Sequence, residues 1–542
     1  MSDAGSSYRT SRLENALRRA TTSPVPRVWL AALVVGVVAG YAAVAFRLAI
    51  GLVQVLWIGS AEENTFRLVT TLPWWLILSG PVGAGALVGL WLTWIQPGNR
   101  PEGVADVIEA RAIRAGQLPL RRGLGSALVA AVSLGGGASA GREGPAVHLG
   151  ATLGSYLALR LGFDTTHTRT LLAAGAASAV AASFNAPIAG VLFALEVVLG
   201  HFAVRASGPI VVASVTGALI ARLHIGESPT FIIPDYVIAS LWDFPFFALL
   251  GVASAAVAIL FMTVTIRADD LARRIDIPLW SRPVIGGLMV GLIGLAFPQV
   301  LGVGYAATDA ALQGLFPLGL LLALILAKTL ATAVTLASRF GGGVFSPSLY
   351  LGAMTGGAFG LVAAEVAPAA DLSTHAVYAI VGMGAVAGAV LGAPLSTLLI
   401  AFELTGGYEM TVALMVAISI ATALTHGMIG RSFFQWQLET RNLWLYGGPR
   451  WQILHKLSVR SFMARIVEDD STPHQTLDDG DDHLVSTDTL EHALTCFETT
   501  GEPVLPVVQS AGDRNIIGIA SHTAALKAYN DALVEASREE HA

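Results

Sequence analysis

Charge is scarce in this chain. Asp, Glu, Lys and Arg make up 13% of its 542 residues, against about 25% in an ordinary soluble domain. Lysine is nearly missing, with three residues against 29 arginines. Cysteine occurs once, at Cys496, which excludes an intrachain disulfide framework and a thiolate metal cluster. No His or Cys pair has metal-ligand spacing, and no Gly-Lys-Ser/Thr phosphate loop occurs. The apolar tracts hold no nucleophile–base pair, so neither enzyme chemistry nor a resident cofactor is expected. With a net charge of −6, nothing points to nucleic acid. The first 27 residues carry five arginines and lack a short apolar core with a cleavage site, so they do not read as a secretory signal.

What fills the chain instead is apolar: 54% of residues are hydrophobic and the mean hydropathy is +0.65. The runs Val28–Gly59, Leu72–Ile95, Phe244–Val264, Leu318–Ala337 and Tyr378–Glu403 each reach the ~20 residues that an α-helix needs to cross a bilayer. The expectation is an all-α polytopic membrane protein. Three regions separate: an arm at 1–27 with an amphipathic stretch at Leu13–Leu17, a membrane body at 28–440, and a soluble region at 441–542 with acidic runs at Glu468–Asp470 and Asp478–Asp482. Arginines collect in the links Arg111–Arg122, Arg267–Arg282 and Arg431–Arg450. The link near Ala61–Asn64 is acidic, and Gly226–Asp243 has no Lys or Arg. The positive-inside rule puts the arginine-bearing links and both termini in the cytoplasm.

The membrane body repeats itself. Pro145–Gly154 matches Pro347–Gly356 with five identities in ten and an offset of 202. Ala186-Pro187, Leu192, Ala194 and Glu196 match Ala393-Pro394, Leu399, Ala401 and Glu403 at an offset of 207. Two matches at nearly one offset indicate a duplicated half, about 28–225 and 240–440, an architecture that places substrate between the repeats near the midplane. These segments alone leave open whether the halves are inverted. Breaks at Gly135–Pro145, Asn185–Pro187, Gly341–Pro347 and Gly392–Pro394 interrupt the apolar segments. Irregular backbone at membrane depth has to line a cavity or be packed in protein. A proline just inside a helix start fits two of these breaks. The free amides and positive dipole end of such a start attract anions.

Gly141-Arg142-Glu143-Gly144-Pro145 is the most informative stretch, a cation and a carboxylate at a glycine-flanked helix start. An ionisable pair at membrane depth is a functional candidate by default. The plainer alternative is mutual neutralisation of Arg142 and Glu143. The sharper one is that the Glu143 carboxylate fills an anion site when ionised and leaves it when protonated.

These residues resemble the outer-gate motif of the CLC chloride channels and transporters. Gly343-Val344-Phe345-Ser346-Pro347 is similar to that family's second anion motif, and Phe184-Asn185-Ala186-Pro187 through Leu195-Glu196 to its interface segment. The resemblance implies an inverted repeat of tilted and broken helices, a homodimer with one pore per subunit, and a bacterial inner membrane location. It implies a gate at Glu143 and anion coordination by backbone amides at Arg142, Glu143 and Gly144 and at Val344 and Phe345. Asp106 is expected beside Arg142. Small residues such as Gly190 and Ser396 suit helix contacts at the dimer interface.

Three positions depart from the family pattern. Its first anion motif falls at Pro101–Ala105, where Glu102 replaces the usual serine ahead of Gly103. A competing register uses Gly98–Pro101 and centres on Asn99. A solvated Glu102 at the cytoplasmic mouth and a Glu102 in the pore both remain open. The inner tyrosine is replaced by Phe434, which removes a hydroxyl donor from the anion site. The inner proton-transfer glutamate is replaced by Val197, which cannot relay a proton. Lys328 reads as a packed or snorkelling side chain, and His148, which recurs as Tyr350, as a packing residue.

The stretch 459–528 resembles one CBS unit, with strands at Val504–Val508 and Ile516–Ile519 and a helix after Ser486–Leu490. It implies adenine nucleotide as a ligand to consider. The expected function is transport of chloride and other small anions. Val197 and Phe434 favour a voltage- or pH-gated channel, and a chloride/proton antiporter is the alternative. A fluoride exporter and a membrane enzyme are the remote ones.

Overall fold

The computed structural model describes residues 24–61, 65–226, 231, 233, 238, 240, 242–368, 372–445, 453–455, 457–466, 477, 482–510 and 513–541. Leu13–Leu17, the acidic link's 62–64 and the Glu468–Asp470 run lie outside them. The described residues fall into two units, one ending at Gln437 and the other beginning at Leu438.

The first unit is helical. Its first half holds α1 (Pro24–Ile58), α2 (Thr65–Val69), α3 (Trp74–Trp94), α4 (Val104–Ile113), α5 (Leu120–Gly135) and α6 (Glu143–Arg160). It continues through α7 (Thr165–Phe184), α8 (Pro187–Phe193), a π-helical turn at Ala194–Leu199 and α9 (Val204–Ile225). The second half holds α10 (Asp243–Arg274), α11 (Ser281–Ala296), α12 (Tyr305–Leu312), α13 (Leu318–Ala337) and α14 (Phe345–Val366). It ends with α15 (His375–Leu391), α16 (Pro394–Thr405), α17 (Tyr408–Ile429) and α18 (Phe433–Glu439). Among the described residues, seven helical stretches are long and apolar enough to cross a membrane. The 35 residues of α1 rise about 1.5 Å each, more than a bilayer core requires, which leaves room for tilt. The run Tyr378–Glu403, long enough for one span, is two helices. Gly392 caps α15 with φ at +65°, and Pro394 opens α16 at a position where its missing amide costs nothing.

The duplication is visible helix by helix. Helices α6 and α14 begin at Glu143 and Phe345, and α7 and α15 end at Phe184 and Leu391. Each of the latter is followed by a left-handed residue, Asn185 or Gly392, and then by Pro187 or Pro394. The packing repeats as well. A Cβ on Gly150 would lie 2.3 Å from the Gly175 carbonyl oxygen, and one on Gly352 would lie 2.3 Å from that of Gly382. Both pairs bring two helices to backbone contact, which is how small residues join helices in lipid.

The equivalent helices α8 and α16 settle the relation between the halves. The Glu196 carboxylate accepts from the amides of Leu395 (3.1 Å) and Ser396 (2.8 Å) at the start of α16. The Glu403 carboxylate accepts from Ile188 (2.9 Å) and Ala189 (2.7 Å) at the start of α8. Each repeat's glutamate therefore caps the other repeat's helix, satisfying amides that no helical carbonyl reaches at the positive dipole end. Start meets end on both sides, so the two helices run antiparallel and the repeats are inverted.

The second unit carries a four-stranded sheet of β1 (Ala464–Arg465), β2 (Leu484–Val485), β3 (Val504–Val508) and β4 (Ile516–Ser521), in the order β1-β4-β3-β2. Strands β2 and β3 are parallel, joined by α19 (Leu490–Thr500). Strands β3 and β4 are antiparallel, and α20 (His522–His541) follows. Val459, Leu484, Phe497, Leu505, Val507 and Ala525 form its core.

Candidate anion and gate site

The two broken segments meet backbone to backbone. Gly141 N–H donates to the Gly343 carbonyl (2.7 Å) and Gly343 N–H to the Gly141 carbonyl (2.8 Å). A Cβ on Gly144 would come within 3.3 Å of Gly343 Cα, so the starts of α6 and α14 are held side by side. The first amides of each have no intrahelical acceptor, and both dipoles present their positive ends here.

Glu143 stands in this gap, 1% exposed. One carboxylate oxygen accepts from the Tyr305 hydroxyl. The other accepts from Ser346 Oγ at 2.5 Å, in the first turn of α14. The Arg142 guanidinium lies 4.0 Å from the first oxygen and 4.6 Å from the Tyr305 ring centroid, a cation–π contact. Mutual neutralisation of Arg142 and Glu143 thus accounts for only one of three contacts to this carboxylate. Val344 and Phe345 are buried, and the Phe345 ring lies tilted against that of Phe184, with centroids 5.1 Å apart. Phe434 is buried in the same apolar cluster. Val197 lies half-buried on the π-helical turn and packs against that cluster.

Tyr305 and Ser346 were not among the sequence candidates. Ser346 sits inside the Gly343–Pro347 motif, in which the family resemblance points to backbone amides and not to the hydroxyl. Tyr305 follows Gly304, whose φ of +93° turns the chain into α12. A glycine-rich turn delivering one polar aromatic between apolar helices is the signal that marks it. Lys328 supports this turn. Its Nζ donates to the carbonyls of Val300 and Gly302, both at 3.1 Å, and it is 0% exposed. It does not snorkel; it pins the segment that carries Tyr305.

The first anion motif is arranged differently from expectation. Helix α4 starts at Val104, so Glu102 and Gly103 stand at its entrance, while Asn99 lies in the preceding turn with φ at +56°. The expectation that Glu102 and Gly103 hold the anion meets two occupied amides. Glu102 N–H donates to Ser126 Oγ (3.0 Å) and Gly103 N–H to Asp106 Oδ2 (2.8 Å). The structure also corrects the solvated Glu102: it is 7% exposed, with Oε2 3.3 Å from His148 Nε2 and Oε1 3.6 Å from Arg122 Nη1. Asp106 is engaged by Arg100 at 2.5 Å and accepts the capping bond from Gly103 N–H.

A cavity of about 660 Å3 reaches Arg142 and Tyr305, lined also by Arg47, Gln54 and His224. Its basic lining suits an anion. Gly135, the end of α5 far from the Arg111–Arg122 link, packs on Val53 and accepts from Trp57 Nε1. The cavity, beside the same end of α1, therefore opens away from that link.

Residues 84–426 match the model of the family described as voltage gated chloride channel. This chain belongs to that family, the CLC family. It is 33% identical to a putative chloride channel protein ClcB-like of Ralstonia nicotianae, over 71% of this chain and 90% of the relative. It is 31% identical to the H(+)/Cl(-) exchange transporter ClcA of Citrobacter koseri, over 75% of this chain and 87% of the relative. The fold is similar to that of a slow cyanobacterial Cl-/H+ antiporter, with a TM-score of 0.68 and 24% identity, over 77% of this chain and 98% of the other. Inverted broken helices and a buried glutamate at their meeting point are thus those of a CLC protein, a family of transporters that carries chloride.

Proposed function

We propose that this CLC protein exchanges chloride for protons, with Glu143 as the shared gate. The observation that carries the reading is the place of its carboxylate: between two helix starts, accepting from Tyr305 and Ser346. A carboxylate there occupies the position that suits a chloride ion, with the amides of Arg142, Glu143 and Gly144 on one side and of Val344 and Phe345 on the other. Protonation removes its charge and frees the position. One group thus answers to both ions.

Val197 on its own favours a channel. Exchange-transporter relatives weigh the other way, and the antiporter is the better supported reading. A homodimer in the bacterial inner membrane, with arginine-bearing links and termini cytoplasmic, completes the proposal. The β2-α19-β3-β4-α20 succession in the C-terminal unit supports a sensing role, with adenine nucleotide as the ligand to try first.

Sealed liposomes under an imposed chloride gradient and a clamped voltage test the exchange. Chloride efflux is expected to drive protons inward against their gradient, and Glu143→Ala is expected to abolish that uptake. Chloride efflux with no uphill proton movement returns the protein to the channel reading.

A further inference from the structure

Val197 leaves the inner half of a proton route without a titratable group at that place. A second buried pair stands in the same half of the membrane body. Glu102, at the entrance to α4, and His148, on α6, approach to 3.3 Å and are 7% and 1% exposed. Although the distance is that of an ion pair, neither ring nitrogen of His148 has an aligned hydrogen-bond partner. Leaving a buried polar group so costs about 1–3 kcal/mol, which an apolar side chain of similar size avoids. The bland alternative is an aromatic packing position, since Tyr350 fills the equivalent place in α14. That alternative explains the ring and leaves the 3.3 Å approach of a buried carboxylate to it unexplained.

The direction of α6 puts the pair on the inner side. Ser155, in the later turns of α6, donates to the Gly116 carbonyl (2.7 Å) and accepts from Leu118 N–H (2.9 Å), both in the Arg111–Arg122 link. The helix therefore runs from Glu143 toward the arginine-bearing face. His148 lies five residues along it, roughly 7.5 Å from the gate position at 1.5 Å per residue. Arg122 Nη1 lies 3.6 Å from Glu102, and the Arg122 side chain is 36% exposed, so solvent on that face comes next to the pair.

We propose that Glu102 and His148 form the inner proton-accepting site of the exchange. This rests on the antiporter reading above. A proton from water on the arginine-bearing side is taken up by the Glu102 carboxylate and passed to His148 Nε2. The imidazole releases its other ring proton from Nδ1 toward the Glu143 side, and rotation or tautomer exchange resets it. No other reactant is consumed. The charged groups facing the pair are few. Arg122 comes from α5, and Arg100, Asp106 and Glu109 belong to the α4 segment, where Arg100 holds Asp106 and Arg114 holds Glu109. Glu196, on the π-helical turn packed against α4, is committed to the α16 amides. Glu102 also has Arg122 at 3.6 Å, so what sets it apart among the described buried acids on this side is the imidazole beside it.

The experiment measures protons moved per chloride in liposomes for the wild type, Glu102→Gln, His148→Gln and Glu102→Asp. Both glutamine variants are expected to retain chloride flux and to lower proton flux by about a hundredfold, the lower end of what a positioned acid–base group contributes. Glu102→Asp is expected to restore coupling. A wild type that moves no protons uphill removes the antiporter reading, and this inference with it. A coupled wild type whose glutamine variants keep the same protons per chloride overturns the inner site alone. Loss of chloride flux in both glutamine variants makes the pair structural and also overturns it.

Discussion

The two repeats share a backbone and differ in charge. Helices α6 and α14 begin at equivalent positions, pack on their neighbours through equivalent glycines and present their starts to one gap. At that gap the first repeat supplies Arg142 and Glu143, and the second supplies Val344 and Phe345. Five positions further along, the first has His148 against Glu102 and the second has Tyr350 beside Lys328, 5.1 Å from its ring. The lesson is a division of labour. Backbone geometry, which both halves keep, suits a small anion; the charged pair Arg142 and Glu143, which the first half places at the gap, makes the site answer to protons.

Breaking that division at Glu143 has the largest expected effect. Glu143→Gln removes the carboxylate charge that competes with an anion between the helix starts, so chloride flux should become nearly independent of pH. Phe345→Leu, at the equivalent position, should alter anion affinity and leave the pH profile as it was. A pH dependence that survives Glu143→Gln, measured as flux between acidic and neutral buffers, sinks the gate assignment.

The reciprocal caps sharpen the symmetry. Glu196→Ala and Glu403→Ala each strip two helix-start amides of their carboxylate, a loss of about 1–2 kcal/mol by analogy with other caps. The two should lower thermal stability in detergent by similar amounts. One costly and one harmless substitution would show that the halves are equivalent in shape and not in energy.

The smallest effect is expected at the surface of α8 and α16. Gly190 and Ser396 turn inward: a Cβ on Gly190 would lie 2.6 Å from the Ala177 carbonyl oxygen, and Ser396 is 0% exposed. Tryptophan there tests the fold. The exposed apolar residues are Ile188 and Leu395, at 52% and 45%, and Ile188→Trp with Leu395→Trp should shift the protein toward monomer on size exclusion at little cost to its melting temperature. An unchanged elution volume places the subunit contact elsewhere.

Much of this arrangement is legible in the residues because it is encoded locally. Prolines 145, 187, 347 and 394 mark helix starts, and the two offsets of the repeat already pair the helices. What was not legible depends on contacts between distant segments. Tyr305 reaches Glu143 across 162 positions, and its apolar neighbourhood carries no motif. Glu102 looks like a surface acid until α5 and α6 close over it. Lys328 looks able to snorkel until the carbonyls of Val300 and Gly302 take its ammonium. Inversion of the repeats needed the glutamate caps, since similar sequences do not state their direction.

The central claim is that the Glu143 carboxylate and a small anion compete for one position between α6 and α14. Crystals of Glu143→Gln and of the wild type grown in bromide, measured at the bromine absorption edge, test it most directly. The account predicts an anomalous peak in the variant within hydrogen-bond reach of Ser346 Oγ and the first amides of α14, where the wild-type carboxylate lies, and no peak at that point in the wild type. Bromide bound there alongside an unmoved Glu143 in the wild type, or absent from that point in the variant, would contradict it.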